Sequence, residues 1–127
     1  MGVGNCASAL VQGVEYYKDV KEDVNVPGLM HVNFGGYHIR DIKFVAAFDV
    51  NKNKIGKDLA EAIFAEPNCC TKFADVPPTG AKVFPSPLLD GVAGHMKRPF
   101  NVYTSGYPQL SDIVEVLRET ETEVLLN

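Results

Sequence analysis

Gly2-Val3-Gly4-Asn5-Cys6-Ala7 decides how the rest of the chain is read. Its spacing fits Gly-x-Gly-x-x-Gly/Ala, the turn that joins a strand to a helix in dinucleotide-binding folds. Each position has a physical task. Gly2 permits the tight turn, Gly4 lets the backbone come close to a diphosphate, and Ala7 is small enough for close helix–strand packing. Amides at the helix start, near Gly4, Asn5 and Cys6, would face the anion, with the helix dipole adding to the attraction. Alone the pattern is weak, because a glycine turn before a helix is often purely structural.

Working outward, Ala9, Leu10, Gly13, Val14 and Tyr17 have helical spacing, so a helix is expected from about 6 to 18 with Asn5 as its N-cap. At this spacing Tyr16 and Tyr17 read as packing residues. Residues 21–41 read as an insertion, with turns at Pro27-Gly28 and Gly35-Gly36 and short extended pieces at 30–34 and 37–41 forming a small hairpin. Ile42 to Phe48 is a mostly apolar run ending in Asp49, suited to a strand buried on both faces of a parallel sheet.

A helix is expected over Lys54–Ala65, with Ile55, Leu59, Ile63 and Phe64 inward, Lys57, Asp58 and Glu61 toward water, and Pro67-Asn68 ending it. Further on come a strand fragment at Lys72–Val76, a turn at Pro77–Gly80 and a short strand at Lys82–Phe84. A weak helix at Leu88–Lys97, a loop at 98–107, a helix capped by Ser111 and an apolar strand opening at Glu123 complete the chain. Alternation of this kind predicts α/β architecture: a partial Rossmann-like, doubly wound parallel sheet. The glycine turn requires a strand before it, so the first strand is expected to be missing or truncated and the chain to be a fragment.

Composition bounds the partners. The 127 residues are 46% hydrophobic and 22% charged, ordinary for one soluble globular domain. A net charge of −4 disfavours nucleic-acid binding, which needs a basic face. No apolar run approaches the roughly 20 residues needed to cross a bilayer. Cys6, Cys69 and Cys70 are an odd count, and the last two are adjacent, so free thiols in a reducing cytoplasm are expected. A zinc site joining them with His31, His38 or His95 lacks the usual paired spacings, and no metal is expected.

Asp49 strengthens the cofactor reading. A carboxylate at the tip of the second strand accepts hydrogen bonds from adenosine ribose hydroxyls and repels a 2′-phosphate, favouring NAD over NADP. The usual gap from fingerprint to acid is about 20 residues. Here Gly2 to Asp49 is 47, and the insertion at 21–41 accounts for the excess. The alternative is that Asp49 only caps the turn into the next helix.

The longer runs resemble a family. Gly2-Val3-Gly4-Asn5-Cys6-Ala7-Ser8 with Leu10-Val11-Gln12-Gly13-Val14-Glu15-Tyr16-Tyr17, then Val26 to Val32, Asp41 to Val50 and Ala62 to Ala65 are similar to the actinobacterial and archaeal type of inositol-3-phosphate synthase, also called myo-inositol-1-phosphate synthase. The likeness covers nearly the whole chain and is strongest through Ala65. It implies conversion of glucose 6-phosphate to inositol phosphate without net redox change: NAD-dependent oxidation, intramolecular aldol closure and reduction. It implies a cytoplasmic homotetramer serving inositol and phospholipid biosynthesis. For the site, it implies that Gly2, Val3, Gly4, Asn5 and Cys6 form the pyrophosphate turn, that Asp49 is the acid after the second strand with Asn51 just beyond, and that Asp58 occupies a position linked with NAD. The family's catalytic lysines have no counterpart here, so no catalytic residue is assigned and the chain alone is expected to be inactive. Two other readings stay open: the cofactor domain of a different NAD-dependent enzyme, and a non-catalytic nucleotide-sensing domain.

Overall fold

The structure is a computed structural model describing residues 2–89, 92–96, 100–106 and 108–127. It begins with the glycine turn leading into α1 (Asn5–Tyr17). Gly4, not Asn5, is the N-cap, and it brings no side-chain hydrogen bond to the helix. Asn5 is already helical, and its side-chain oxygen is spent elsewhere, accepting from the Cys69 N–H at 2.8 Å. The buried stripe of α1 is Ser8, Val11 and Gln12 rather than the Ala9–Leu10–Val14 face expected from hydrophobicity. Tyr16 is exposed, meeting Tyr17 and Phe73 edge-on.

Gln12 explains the displaced stripe. Its carboxamide Nε2 donates to Ser8 Oγ, Cys70 Sγ and the Thr71 carbonyl, and its Oε1 accepts from the Phe73 and Ala74 N–H groups. A fully buried amide survives only when its donors and acceptor are paired. The same contacts hold residues 70–74 against a side chain, so the strand expected over Lys72–Val76 does not form.

The insertion contains the expected hairpin: β1 (Asn33–Phe34) pairs antiparallel with β2 (Tyr37–His38) around Gly35-Gly36. β3 (Ala46–Asp49) then pairs in parallel with β4 (Lys82–Pro85), from Ala46 opposite Lys82 to Asp49 opposite Pro85. The Asp49 carbonyl faces the β4 side, where it accepts from the Ser86 N–H at 3.0 Å. Successive carbonyls of an extended strand point to opposite edges. That of Phe48 therefore points away from β4, and it accepts from the Gly2 N–H at 2.9 Å. The glycine turn thus enters along the edge of β3 remote from β4.

The helix expected over 54–65 is reduced to α2 (Leu59–Ala62). Gly56, at φ +86°, breaks the helical path in a conformation that favours glycine. Residues 56–59 run instead beside β4, with Gly56 and Leu59 N–H groups donating to the Val83 and Ala81 carbonyls and the Val83 N–H to the Lys57 carbonyl. Asp58 caps α2 by accepting from the Ala60 N–H. The core gathers here: Val3, Val11, Leu59, Ala62, Ile63, Ala81 and Val83, with Phe44, Ala47, Phe64 and Val76 against them. Burying each large aliphatic side chain contributes about 1.5–3 kcal/mol.

The weak helix expected at 88–97 is represented by a 3₁₀ turn at Gly94–Met96; Asp90, Gly91 and Lys97 lie outside the described residues. α3 (Leu110–Glu119) is capped by Gln109 rather than Ser111, which falls inside the first turn. Residues 123–127 join no strand among the described residues. With Leu117 and Thr122, residues 124–126 face residues 43–48 and α1 across an apolar groove of about 150 Å³. Among the described residues the result is a small mixed helix–strand domain with one parallel strand pair, which meets in part the partial, doubly wound parallel sheet expected.

Candidate functional site

Gly2, with φ +104°, makes the turn into α1 in the left-handed region. At Gly4 a Cβ would meet no atom within 4 Å, so the space before the helix start is open. With no side-chain cap and no acidic residue in the first turn, that end of α1 presents free amide character and a positive dipole end.

Asp49 stands at this turn. Its Oδ2 accepts from the Val3 N–H at 2.6 Å and its Oδ1 from the Asn51 N–H at 2.7 Å. A carboxylate has about four acceptor positions, so both oxygens keep capacity for ligand hydroxyls. Asn51 is buried, with its Oδ1 accepting from the Asn53 N–H and its Nδ2 donating to the Glu66 carbonyl.

A cleft of about 430 Å³ opens here. Gly2, Gly4, Asn5, Asp49 and Asn51 all line it, with Pro87, Leu88, Leu89, Val92 and Phe100 forming an apolar wall. Five of the residues singled out from sequence are therefore brought together. Val3 contributes its backbone, while its side chain is buried in the core. Cys6 is exposed on the first turn of α1 and is not among the lining residues. Asp58 lies apart from the cleft: its carboxylate accepts from the backbone N–H groups of Ala60, Thr79 and Gly80 and from the Thr79 hydroxyl. The open helix end, the space at Gly4 and the spare carboxylate acceptors suit a dinucleotide's diphosphate and ribose, and the apolar wall suits a flat base.

A charged residue that sequence reading did not single out also lines the cleft. Lys54 is 3% exposed, and its Nζ donates to the Val3 carbonyl. Burial pushes its pKa below the ordinary lysine value, against an opposite pull from the Asp49 charge. The apolar spacing around it suggests only a solvated helix start, so its inward turn carried no sequence signal.

No family model matches the chain. It is 52% identical over 127 residues to a protein named inositol-3-phosphate synthase from Mycolicibacterium smegmatis. It is also 48% identical over 126 residues to one of that name from Corynebacterium glutamicum, and 49% over 127 to one from Mycobacterium tuberculosis. Along its whole length, this chain is a relative of the inositol-3-phosphate synthases. It covers 34% of the length of these curated relatives. Among solved structures, it matches a crystal structure of Ari2 with a TM-score of 0.72 at 34% identity, over 96% of this chain and 34% of that one. The synthase relationship spans both the glycine turn and the β3–α2 segment, the two parts of the chain that build the cleft.

Proposed function

We propose that residues 1–127 form part of the NAD-binding Rossmann domain of an inositol-3-phosphate synthase, with an insertion at about 21–41. Gly2, Val3, Gly4, Asn5 and Cys6 provide the diphosphate turn through their backbone, Asp49 the acceptor for the adenosine ribose, and Asn51 a flanking polar contact. Asp58, at the position the family links with NAD, caps α2 and fastens it to Thr79 and Gly80 apart from the cleft, so any part it plays in cofactor binding is indirect. The observation that supports this reading is the 2.6 Å contact between Asp49 Oδ2 and the Val3 amide, which brings the carboxylate beside the glycine turn on one cleft.

In the complete protein the activity is that of an isomerase, an intramolecular lyase turning D-glucose 6-phosphate into 1D-myo-inositol 3-phosphate. NAD supplies the hydride acceptor and donor for an oxidation, an aldol ring closure and a reduction that leave no net redox change. The residues of this chain bind and orient: α1 amides hold negative charge, and the apolar wall excludes water from one side of the cleft. The residues that stabilise developing oxyanions, the assembly into a homotetramer and a cytoplasmic setting belong to the whole enzyme, and no catalytic residue is assigned within 1–127.

The test is a calorimetric titration with NAD and NADP. A ribose-binding carboxylate predicts that NAD binds and that NADP binds at least about tenfold more weakly, because a 2′-phosphate would meet the Asp49 charge. Equal affinities, or no binding of either, overturn the assignment.

A further inference from the structure

Both polar groups of the Val3 backbone are held by charged side chains from the β3–α2 segment. The N–H donates to Asp49 Oδ2, and the carbonyl accepts from Lys54 Nζ. Val3 stands between the two glycines of the turn, so these bonds fix the peptide planes on both sides of its α-carbon. In a trans peptide the carbonyl and the next N–H point in opposite directions. Gripping the Val3 carbonyl therefore also sets the direction of the Gly4 N–H, the amide that opens the turn toward α1.

Charge adds a second consequence. Among the described residues lining the cleft, Lys54 is the one cation and Asp49 the one anion. Without Lys54, a bound diphosphate would share the cleft with an uncompensated carboxylate. An ammonium this deeply buried is costly unless something keeps it. Here the return is a turn fixed in advance of binding.

We propose that Lys54 is a positioning residue for the glycine turn: it holds the Val3 carbonyl so that the Gly4 amide is preset for a diphosphate, and it offsets the Asp49 charge beside that anion. This rests on the cofactor reading above. It makes a distinction that reading alone does not: Lys54 should matter for ligands that carry the diphosphate and not for adenosine, which engages only the ribose and base contacts.

The experiment compares NAD and adenosine binding to wild-type protein and to Lys54→Met, with adenosine followed by ligand-observed NMR titration. Lys54→Met keeps the apolar stem and removes donor and charge. We expect NAD affinity to fall about tenfold or more while adenosine affinity stays within about twofold. Lys54→Gln, which keeps a donor without charge, should lose less, about threefold, and again for NAD alone. If Lys54→Met does not fold, the comparison is read on Lys54→Gln. Unchanged NAD affinity in a folded variant, or equal weakening of both ligands, overturns the positioning role. Failure of the wild-type protein to bind NAD overturns the cofactor reading itself, and this inference with it.

Discussion

The Asp49 carboxylate accepts from the Val3 amide at 2.6 Å across 46 positions of sequence. The contact joins the tip of β3 to the glycine turn, and a second bond from the Asn51 N–H holds the other carboxylate oxygen. Asp49 is therefore a brace for the turn and, under the proposed function, also the acceptor for a ribose. The capping alternative considered from sequence is realised in the Asn51 bond without exhausting the carboxylate. A substitution here acts on stability and on ligand binding together, so other positions are needed to separate the two.

Gly4 separates them. Its φ of −96° is open to any residue, and a Cβ there would meet no protein atom within 4 Å. Gly4→Ala should leave unfolding free energy within about 0.5 kcal/mol of wild type. The added methyl would stand where a diphosphate approaches, so NAD affinity should drop about tenfold or more. Denaturant unfolding paired with calorimetry checks both halves, and retained NAD affinity in the folded variant contradicts the diphosphate role.

Gln12 tests the packing that supports the site. Replacing it with Leu leaves the Phe73 and Ala74 amides without their acceptor. The expected cost is about 2–3 kcal/mol, from stranded polar groups rather than lost apolar area. A urea midpoint shift equivalent to less than about 0.5 kcal/mol would show that residues 70–74 are not pinned by this side chain.

Asp58 gives the chain an acid-sensitive fastening. Burial raises its pKa, but the bonds from Thr79, Ala60 and Gly80 outweigh this, leaving it below the usual 3.8. The folded state thus holds this proton less readily than the unfolded state. The stabilisation is complete above the ordinary carboxylate value and is lost as pH falls through it toward the folded value. Asp58→Asn should cost about 1–2 kcal/mol at neutral pH and flatten the acid limb of stability as pH falls through and below the ordinary carboxylate value. Parallel acid limbs for variant and wild type would contradict that role.

What was legible in sequence was what local pattern decides. The glycine spacing located the start of α1, Gly35-Gly36 the hairpin, and Lys82–Phe84 one of the paired strands; of the apolar run Ile42–Phe48 only the end from Ala46 pairs, with Ile42 and Val45 exposed rather than buried. The meeting of Asp49 with the glycine turn was legible because a parallel α/β arrangement brings strand tips to one edge. Long-range polar bonds were not legible. Gln12 looks like a surface residue until the amides of Phe73 and Ala74 are seen on it. The helix expected over 54–65 fails where Gly56 takes φ +86° and the backbone turns to β4, a contact made by residues about 25 positions later. Lys54 turns inward for the same reason: its partners, Val3 and Asp49, belong to other elements, and helical periodicity is blind to them.

The most direct measurement is calorimetric titration of NAD into the wild-type protein and into Asp49→Ala. Loss of a charge-assisted hydrogen bond to the ribose predicts binding weakened by roughly 1–3 kcal/mol in a variant that still folds. A folded Asp49→Ala protein with wild-type NAD affinity would contradict the placement of the cofactor between the glycine turn and β3.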